Sequence, residues 1–293
     1  MKSVLFLVGL ALFAAFFSAS LTACGKETAT TAPVFRFSAI PDEKQTERAV
    51  RFAPVVAYLQ KALGVDVEYV GMNDYSASVQ AFKNRSVHAA WFGGLTGVQA
   101  RQAVKGSYVI AQGDADPNYY SYFIAHKNSG LTAGESFPTA AKGKNFTFGS
   151  ESSTSGRLMP EFFIREQTGK TPKQFFAEVG FSGNHPATIA AVNSGAFDVG
   201  ALSYKVYDKT QSTAKSNTFV LWKTPVYADY NFTVHGDLDK TFGDGFTAKL
   251  KRAWLAMTPE LTEKSFSRGR MIPAKNEDFA RIKSTAQALE LAR

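Results

Sequence analysis

Residues 149–160 read Gly-Ser-Glu-Ser-Ser-Thr-Ser-Gly-Arg-Leu-Met-Pro, and this stretch gives the first indication of the fold. A β-like run, Asn145–Phe148, precedes it, and a helix-like run, Glu161–Glu166, follows it. A strand that turns through small hydroxylated residues into a helix leaves backbone N–H groups without partners. Together with the helix dipole and the hydroxyls, they form a neutral cradle for an anion. Taken alone, the stretch favours the simpler alternative that Ser153–Ser155 only cap a helix.

Composition describes an ordinary folded protein. The chain has 293 residues, of which 45% are hydrophobic and 20% charged, enough for one large domain or two ordinary ones. Its formal net charge is +8, but the basic residues are scattered without a dense run. This distribution favours a mildly basic protein that handles anions over one that binds nucleic acid.

The first 24 residues have the pattern of a targeting segment. Lys2 supplies a positive charge, and the apolar run Val4–Phe17 is short for a transmembrane helix. Leu21–Cys24 then matches the lipobox of bacterial lipoproteins, and Cys24 is the only cysteine of the sequence. We expect lipidation at Cys24 and a flexible tether over residues 25–33; the alternative is an ordinary cleaved leader with a spare thiol.

Strand and helix patterns alternate after the tether and predict an α/β fold with parallel strands. Strands are predicted over Val34–Ile40, Val65–Val70 and Val87–Phe92, with helices between them. Amphipathic patterns over Phe246–Met257 and Phe279–Leu291 predict two closing helices.

An internal repeat supports two similar lobes. Val79–Gly93 resembles Ile189–Ser203, each reading as a helix end, a tight turn and a buried strand. In the same alignment Tyr75 corresponds to His185, each just before its helix. Ligands of open α/β sheets bind near such loops. Any two βαβ units share this outline, however, so the repeat alone does not establish the lobes.

Two aromatic β-like segments can carry the chain between lobes. They are Asn118–Ala125 and Phe219–Val234, the second interrupted by Pro225. Aromatic side chains at two crossovers would line a cleft, where small-ligand sites tend to lie. Ordinary core packing of these tyrosines is the alternative.

Several motifs together resemble the periplasmic phosphonate-binding proteins of ABC importers, a family that also includes phosphite-binding and selenate-binding members. In chain order they are the lipobox, Asp74-Tyr75, Ala90–Gly93, Tyr119–Ser121, Gly149–Gly156 with Pro160, His185 and Asp198–Gly200. The resemblance runs from about residue 34 to residue 293, and the Ser-Thr-Ser-Gly segment with the later histidine is its most specific part. Residues 91–101 and 227–231 resemble the selenate-binding branch more closely.

The resemblance implies a type II periplasmic binding protein, with two α/β lobes joined by a two-strand hinge. Lobe 1 would contain residues 34–118 and 231–293, and lobe 2 residues 119–230 with the hinge strands. The protein would be a monomer on the periplasmic or extracytoplasmic face of the membrane, held there by its lipid anchor. Its partners would be the permease and ATPase subunits of an importer.

The resemblance also implies how a tetrahedral oxyanion is bound. Hydroxyl and N–H groups of three consecutive residues would bind its oxygens, and other donors would face them. Neutral donors can hold a divalent anion and still release it, because charge-assisted hydrogen bonds are strong without a buried cation. The implied residues are Tyr75, Tyr119, Ser153, Thr154, Ser155 and His185.

Two charged residues, Lys205 and Asp229, complete the predicted site. Aminoalkylphosphonate binders of the family offer acidic residues to the ligand ammonium, one of them at the place where this chain has Lys205. A lysine repels an ammonium, so we expect a compact inorganic oxyanion or an unsubstituted phosphonate to bind better. Asp229 is the other candidate acid, with two roles open to it: serving an amine or only orienting Tyr230.

A hydrolase of the cell envelope is one alternative function. Ser155, His185 and Asp198 supply the residue types of a catalytic triad. However, the sequence has no G-x-S-x-G nucleophile elbow and no Gly-Lys-Ser/Thr phosphate loop. The sequence therefore favours a binding protein over an enzyme.

A ferric-ion-binding protein of the same fold is the second alternative. Tyr119-Tyr120 with Tyr227 and Tyr230 could ligate the ion. The four histidines, at positions 88, 126, 185 and 235, show no metal-ligand spacing. We therefore expect neither a metal nor a cofactor.

Overall fold

The predicted alternation of strands and helices folds as two separate sheets. A computed structural model describes residues 32–42, 45–211 and 216–292, and residues from Ala32 onward belong to one compact unit. The lipobox, Cys24 and most of the tether lie outside the described residues. Within them, no helix combines the length and apolar character that a membrane span needs.

The strands and helices have the following bounds. The strands are β1 (Phe35–Ala39), β2 (Val67–Tyr69), β3 (Ala89–Phe92), β4 (Tyr108–Gly113), β5 (Ser121–His126), β6 (Asn145–Phe148), β7 (Glu178–Phe181), β8 (Val199–Ser203), β9 (Thr218–Lys223), β10 (Asn231–Val234) and β11 (Met271–Pro273). The helices are α1 (Gln45–Leu63), α2 (Tyr75–Lys83), α3 (Gly94–Ala103), α4 (Met159–Thr168), α5 (Pro172–Phe175), α6 (His185–Asn193), α7 (Tyr204–Gln211), α8 (Leu238–Phe242), α9 (Phe246–Leu255), α10 (Pro259–Phe266) and α11 (Ala280–Ala288).

The strand order confirms the α/β class. The first sheet has the order β11-β4-β10-β3-β1-β2, and the second has the order β7-β6-β8-β5-β9. Strand β1 pairs in parallel with β2 and β3, and β6 pairs in parallel with β7 and β8, as the βαβ alternation predicts. Strands β5 and β10, which follow the crossovers, pair antiparallel to their neighbours.

The chain crosses between the sheets twice, after β4 and after β9. Tyr119 and Tyr227 join the two crossovers through an antiparallel bridge, with each N–H donating to the other carbonyl at 2.9 Å. The predicted boundary at residues 118/119 lies within the first crossover, and that at 230/231 lies where β10 begins. That the sheets move as lobes about them stays a prediction.

Buried aromatic side chains hold the first sheet to its helices. Phe232 of β10 stacks on Trp254 of α9, with ring centroids 3.6 Å apart. Both predicted closing helices are present, as α9 and α11. Sequence analysis missed α10 and β11 between them; Phe266 of α10 packs on Trp91, with centroids 5.1 Å apart. The turn from α10 to β11 therefore lies close to the candidate site.

Candidate ligand-binding site

The predicted anion cradle is the turn between β6 and α4. Thr154–Leu158 form a π-helical turn, in which Leu158 N–H donates to the Ser153 carbonyl at 2.9 Å. Ser153 Oγ accepts the N–H of Gly156 at 2.9 Å, so the capping alternative is correct for this hydroxyl. The hydroxyl proton of Ser153 and the first-turn N–H groups of Thr154 and Ser155 have no acceptor within the turn. The turn is thus capped and still presents donors.

Two glycines bring His185 against this turn. Gly149 N–H donates to the Gly156 carbonyl at 2.8 Å. A Cβ atom on Gly156 would lie 3.3 Å from His185 Cε1 and 3.0 Å from Ser153 Oγ. These are tighter than ordinary contacts, so glycine at this position allows the imidazole to lie beside the cradle.

His185 is the first residue of α6 and is fully buried. The Asn184 side chain caps the helix by accepting the N–H of Ala187 at 2.9 Å. His185 Nδ1 accepts the backbone N–H of Ser203 through a long bond of 3.4 Å. An accepting Nδ1 places the ring proton on Nε2 in the neutral imidazole, which makes Nε2 a donor.

Tyr75 approaches the cradle from the other sheet, as the first residue of α2. It is buried, and its hydroxyl has no hydrogen-bond partner among the described residues. Burial raises the pKa of Tyr75 well above its ordinary value, and the charges of Asp42 and Asp229 add to this; the nearby Ser153 hydroxyl opposes it. Tyr75 is therefore a neutral donor that lies next to Ser153.

Tyr119 and Ser121 link the first crossover to the second sheet. The Tyr119 hydroxyl is hydrogen-bonded to the Ser203 hydroxyl, and burial raises the pKa of Tyr119 well above its ordinary value. Ser121 Oγ donates to the Ser155 carbonyl at 2.7 Å. Tyr119 is thus already engaged, and its contact with a ligand stays a prediction.

The start of α3, which follows a strand of the first sheet, contacts the cradle, which follows a strand of the second sheet. Leu95 N–H donates to Thr154 Oγ1 at 3.0 Å, and Gly94 N–H donates to Asp229 Oδ1 at 2.9 Å. A Cβ atom on Gly93 would lie 3.1 Å from Thr154 Oγ1 and 3.3 Å from Asp229 Oδ1. The absence of a side chain at Gly93 permits this approach.

Asp229 is a buried acid beside Thr154, only 1% exposed. Burial raises the pKa of Asp229 to about 7, against the lowering effects of the Gly94 N–H and the Thr154 hydroxyl. Its Oδ2 is buried without a hydrogen-bond partner. The second role suggested for Asp229 is to orient Tyr230. The Tyr230 hydroxyl donates instead to Asp42 Oδ2 at 2.9 Å, so Asp42 orients this tyrosine.

Lys205 lies near one predicted site residue, Tyr119. It is half-buried on α7 and lines a small cavity with Tyr119, Tyr230 and Arg268. Burial lowers the pKa of Lys205, and the charge of Arg268 lowers it further. Tyr75, His185 and the Ser153–Ser155 turn do not line this cavity, so a contact of Lys205 with the ligand stays a prediction.

Sequence reasoning missed two ion pairs in this region. Arg268 Nη2 lies 2.6 Å from Asp116 Oδ1, and both side chains are almost fully buried. Arg51 Nη2 lies 3.7 Å from Asp42 Oδ1. No local pattern marks the pair of Arg268 and Asp116, since these residues are 152 positions apart in the sequence and meet through the turn after α10.

The hydrolase alternative lacks its geometry. Asp198 lies just before β8, where its Oδ2 accepts the N–H of Asn145 at 2.9 Å. His185 contacts Ser203 at the other end of that strand. Five residues of strand span roughly 16 Å, so Asp198 and His185 do not form a triad.

The structure does not support the ferric-ion alternative either. The three buried tyrosine hydroxyls have different partners: Tyr119 bonds Ser203, Tyr227 bonds Ser121 and Tyr230 bonds Asp42. The described part of the chain also contains no group of three His, Cys, Asp or Glu side chains placed to hold a metal ion.

Comparisons with known proteins agree with the fold. The family described as "ABC transporter, phosphonate, periplasmic substrate-binding protein" matches residues 37–279. The chain is 41% identical over 273 residues to the probable ABC transporter phosphite binding protein PhnD1 of Prochlorococcus marinus (strain MIT 9301), covering 89% of this chain and 91% of that protein.

Solved structures are similar as well. The structure of PhnD1 from Prochlorococcus marinus (MIT 9301) in complex with methylphosphonate has a TM-score of 0.83 and 39% identity, over 88% of this chain and 98% of that one. A binding protein component of an ABC phosphonate transporter from Pseudomonas aeruginosa has a TM-score of 0.76 at 19% identity, over 89% of this chain and 88% of that one, and so shares the fold.

Proposed function

Since the chain belongs to the periplasmic substrate-binding proteins of phosphonate ABC transporters, we propose that it captures a small phosphonate or phosphite for uptake. The observation that carries this proposal is the meeting of donors from both sheets: Ser153 on the cradle lies beside Tyr75, and His185 lies against the same turn. Hydrogen bonds from such buried neutral groups to an oxyanion are charge-assisted, and they need no buried cation in the cradle.

Lys205 supports a proposal for the ligand class. Lys205, where the family's aminoalkylphosphonate binders place an acid, sits close to the buried Arg268. A ligand ammonium would meet like charge there, which costs on the order of a few kcal/mol in a closed cleft. A compact phosphonate, phosphite or another small oxyanion is therefore favoured over an aminoalkylphosphonate.

Calorimetry on ligand-stripped protein tests the function. Methylphosphonate, phosphite, phosphate, sulfate, selenate and 2-aminoethylphosphonate are titrated side by side. We expect methylphosphonate or phosphite to bind most tightly and 2-aminoethylphosphonate weakly. Tight binding of 2-aminoethylphosphonate, with methylphosphonate, phosphite and selenate silent, would contradict the proposal.

The relatives are transport proteins, and binding without catalysis is part of the proposal. The separation of Asp198 from His185 supports it, because Ser155 then has no oriented base. Assays with ester and phosphoester substrates should show no turnover. Sustained turnover that Ser155→Ala abolishes would refute binding alone.

Closure between the two sheets is the proposed capture step. The two crossovers can serve as a hinge between the sheets. A ligand that contacts residues on both sides of the site favours the closed state. Small-angle scattering should show a smaller radius of gyration with saturating methylphosphonate. An unchanged radius would count against closure about the crossovers.

Membrane anchoring through Cys24 completes the proposal. The lipobox supports it, and the permease and ATPase partners require delivery at the membrane. Wild-type protein should fractionate with membranes, and Cys24→Ala should appear in the soluble fraction; a wholly soluble wild type would refute lipidation. The released variant is expected to be a monomer by light scattering.

A further inference from the structure

Among the described residues, the carboxylate of Asp229 has no oppositely charged partner, whereas the two neighbouring acids are each paired with an arginine. Asp116 is paired with Arg268, and Asp42 with Arg51. Among the described residues, no Lys, Arg or His nitrogen lies within the 4.0 Å ion-pair distance of Asp229. The site therefore holds one uncompensated acid next to the place proposed for an anion.

Only one oxygen of this carboxylate is satisfied. Asp229 Oδ1 accepts the Gly94 N–H, whereas Oδ2 is buried without a hydrogen-bond partner. Thr154 lies beside the carboxylate and belongs to the cradle. An acceptor that is buried without a donor is costly, so Oδ2 marks a missing partner at the junction of the two sheets.

The groups that surround Asp229 do not supply a compensating charge. The negative charge of Asp116 disfavours the ionised form of Asp229, and Arg268, already bonded to Asp116, favours it only in part. The other titratable groups facing it come from α2 and both crossovers, and all are tyrosines with pKa values well above the ordinary value: Tyr75, Tyr119, Tyr227 and Tyr230.

An oxyanion in the cradle would lie beside this carboxylate. Two unpaired like charges in a buried site are strongly unfavourable, and such sites take up a proton instead. A single proton between two oxygens replaces the repulsion with an O–H···O⁻ hydrogen bond, which is among the strongest that proteins form. The raised pKa of Asp229, about 7, makes such a proton accessible near neutral pH.

We propose that the protein binds its oxyanion together with one proton, held between Asp229 Oδ2 and a ligand oxygen. This inference rests on the proposed function of the same site. It favours oxyanions that themselves titrate near neutral pH, such as phosphonates and phosphite. Sulfate and selenate carry no proton at that pH and would depend on the proton of Asp229 alone.

Calorimetry near pH 9, in two buffers that differ in ionisation enthalpy, measures the proton directly. Wild-type protein titrated with methylphosphonate should take up about one proton per ligand, and its affinity should fall about tenfold per pH unit above the pKa values of both partners. Asp229→Asn keeps an oxygen for the Gly94 N–H, and its amide can donate to the ligand without taking up a proton. Proton uptake on binding should therefore fall to about zero, and the affinity should not change with pH in this range.

Asp198→Asn is the matched control, since Asp198 also accepts one backbone N–H but lies at the far end of β8. It should retain wild-type proton uptake. Wild-type binding without proton uptake near pH 9, or unchanged uptake in Asp229→Asn, would overturn the inference and leave the proposed function standing. Failure of the wild type to bind methylphosphonate or phosphite at any pH would overturn both.

Discussion

The starts of α2 and α6 are two versions of one local structure. Each helix has nine residues and follows an extended Asp or Asn whose side chain accepts the N–H of its third residue, Ala77 at 2.7 Å or Ala187 at 2.9 Å. The first helical residue is Tyr75 in one and His185 in the other, and both are buried. The same cap therefore places a different donor on each side of the site.

The surroundings of these donors differ, and they decide how each donor works. Tyr75 lies among acids, which together with burial keep its phenol neutral far above physiological pH. His185 lies against backbone, where its Nδ1 accepts the Ser203 N–H through a long bond of 3.4 Å, which favours a ring proton on Nε2. A repeated helix start can thus present hydrogen-bond donors from two sheets to one anion.

The residues after the central strands differ too. The first half has Gly93 and Gly94, so Thr154 and Asp229 can approach the backbone directly. The corresponding positions of the second half are Ser203 and Tyr204, and Ser203 engages the crossover through Tyr119. The backbone of the first half thus binds the buried acid Asp229.

The largest expected effect concerns this acid and the stability of the ligand-free protein. The pKa of Asp229 is about 7 in the folded state, against an ordinary value of 3.8. Between these two pH values the folded protein therefore binds more protons than the unfolded chain. The contribution of Asp229 therefore destabilises the protein progressively from about pH 4 to about pH 7, by about 4 kcal/mol at most. Asp229→Asn should raise the melting temperature at pH 8 but not at pH 4. An equal shift at both values would show that Asp229 is not protonated at low pH in the folded protein.

The next effect is that of Thr154, which joins the two halves. Thr154→Val leaves the Leu95 N–H without its acceptor and removes a ligand donor, so affinity for methylphosphonate should fall about 100-fold, or about 3 kcal/mol. Thr147→Val is the control, because Thr147 is a buried residue of β6 whose hydroxyl donates to the Phe148 carbonyl. Similar losses in both variants would indicate general destabilisation of the second sheet.

Tyr75→Phe sharpens the comparison of the two donors. It removes one neutral hydrogen bond to the anion and should weaken methylphosphonate binding about tenfold. The ratio to wild type should be constant from pH 6 to pH 9, because the phenol does not ionise in that range. A ratio that changes with pH in titration calorimetry would contradict a neutral donor at this position.

The smallest effect is expected at Lys205, which is half-buried and partly screened by solvent. Lys205→Glu should improve 2-aminoethylphosphonate binding about threefold relative to methylphosphonate, since the ammonium no longer meets a like charge. Competition binding with both ligands measures the ratio. An unchanged ratio would place Lys205 outside the path of ligand selection.

Local signals allowed the scaffold to be predicted. The turn before α4 and the alternation of strands and helices are encoded within a few residues each, and both are present in the structure. Tyr75 and His185 are predicted just before their helices and are instead the first helical residues, after caps at Asp74 and Asn184. Asp42 and Arg268 could not be found in this way. Their roles depend on contacts between distant segments, as in the pair of Arg268 with Asp116. The pKa of Asp229 likewise depends on burial, which the sequence does not specify.

The central claim is that one anion is held jointly by donors from both sheets. A crystal structure of the wild-type protein with methylphosphonate tests this most directly. We expect the phosphonate oxygens within hydrogen-bond distance of the Ser153–Ser155 turn, Tyr75 and His185 Nε2, with one oxygen against Asp229 Oδ2. A phosphonate bound to one sheet alone, away from the Ser153–Ser155 turn, would contradict it.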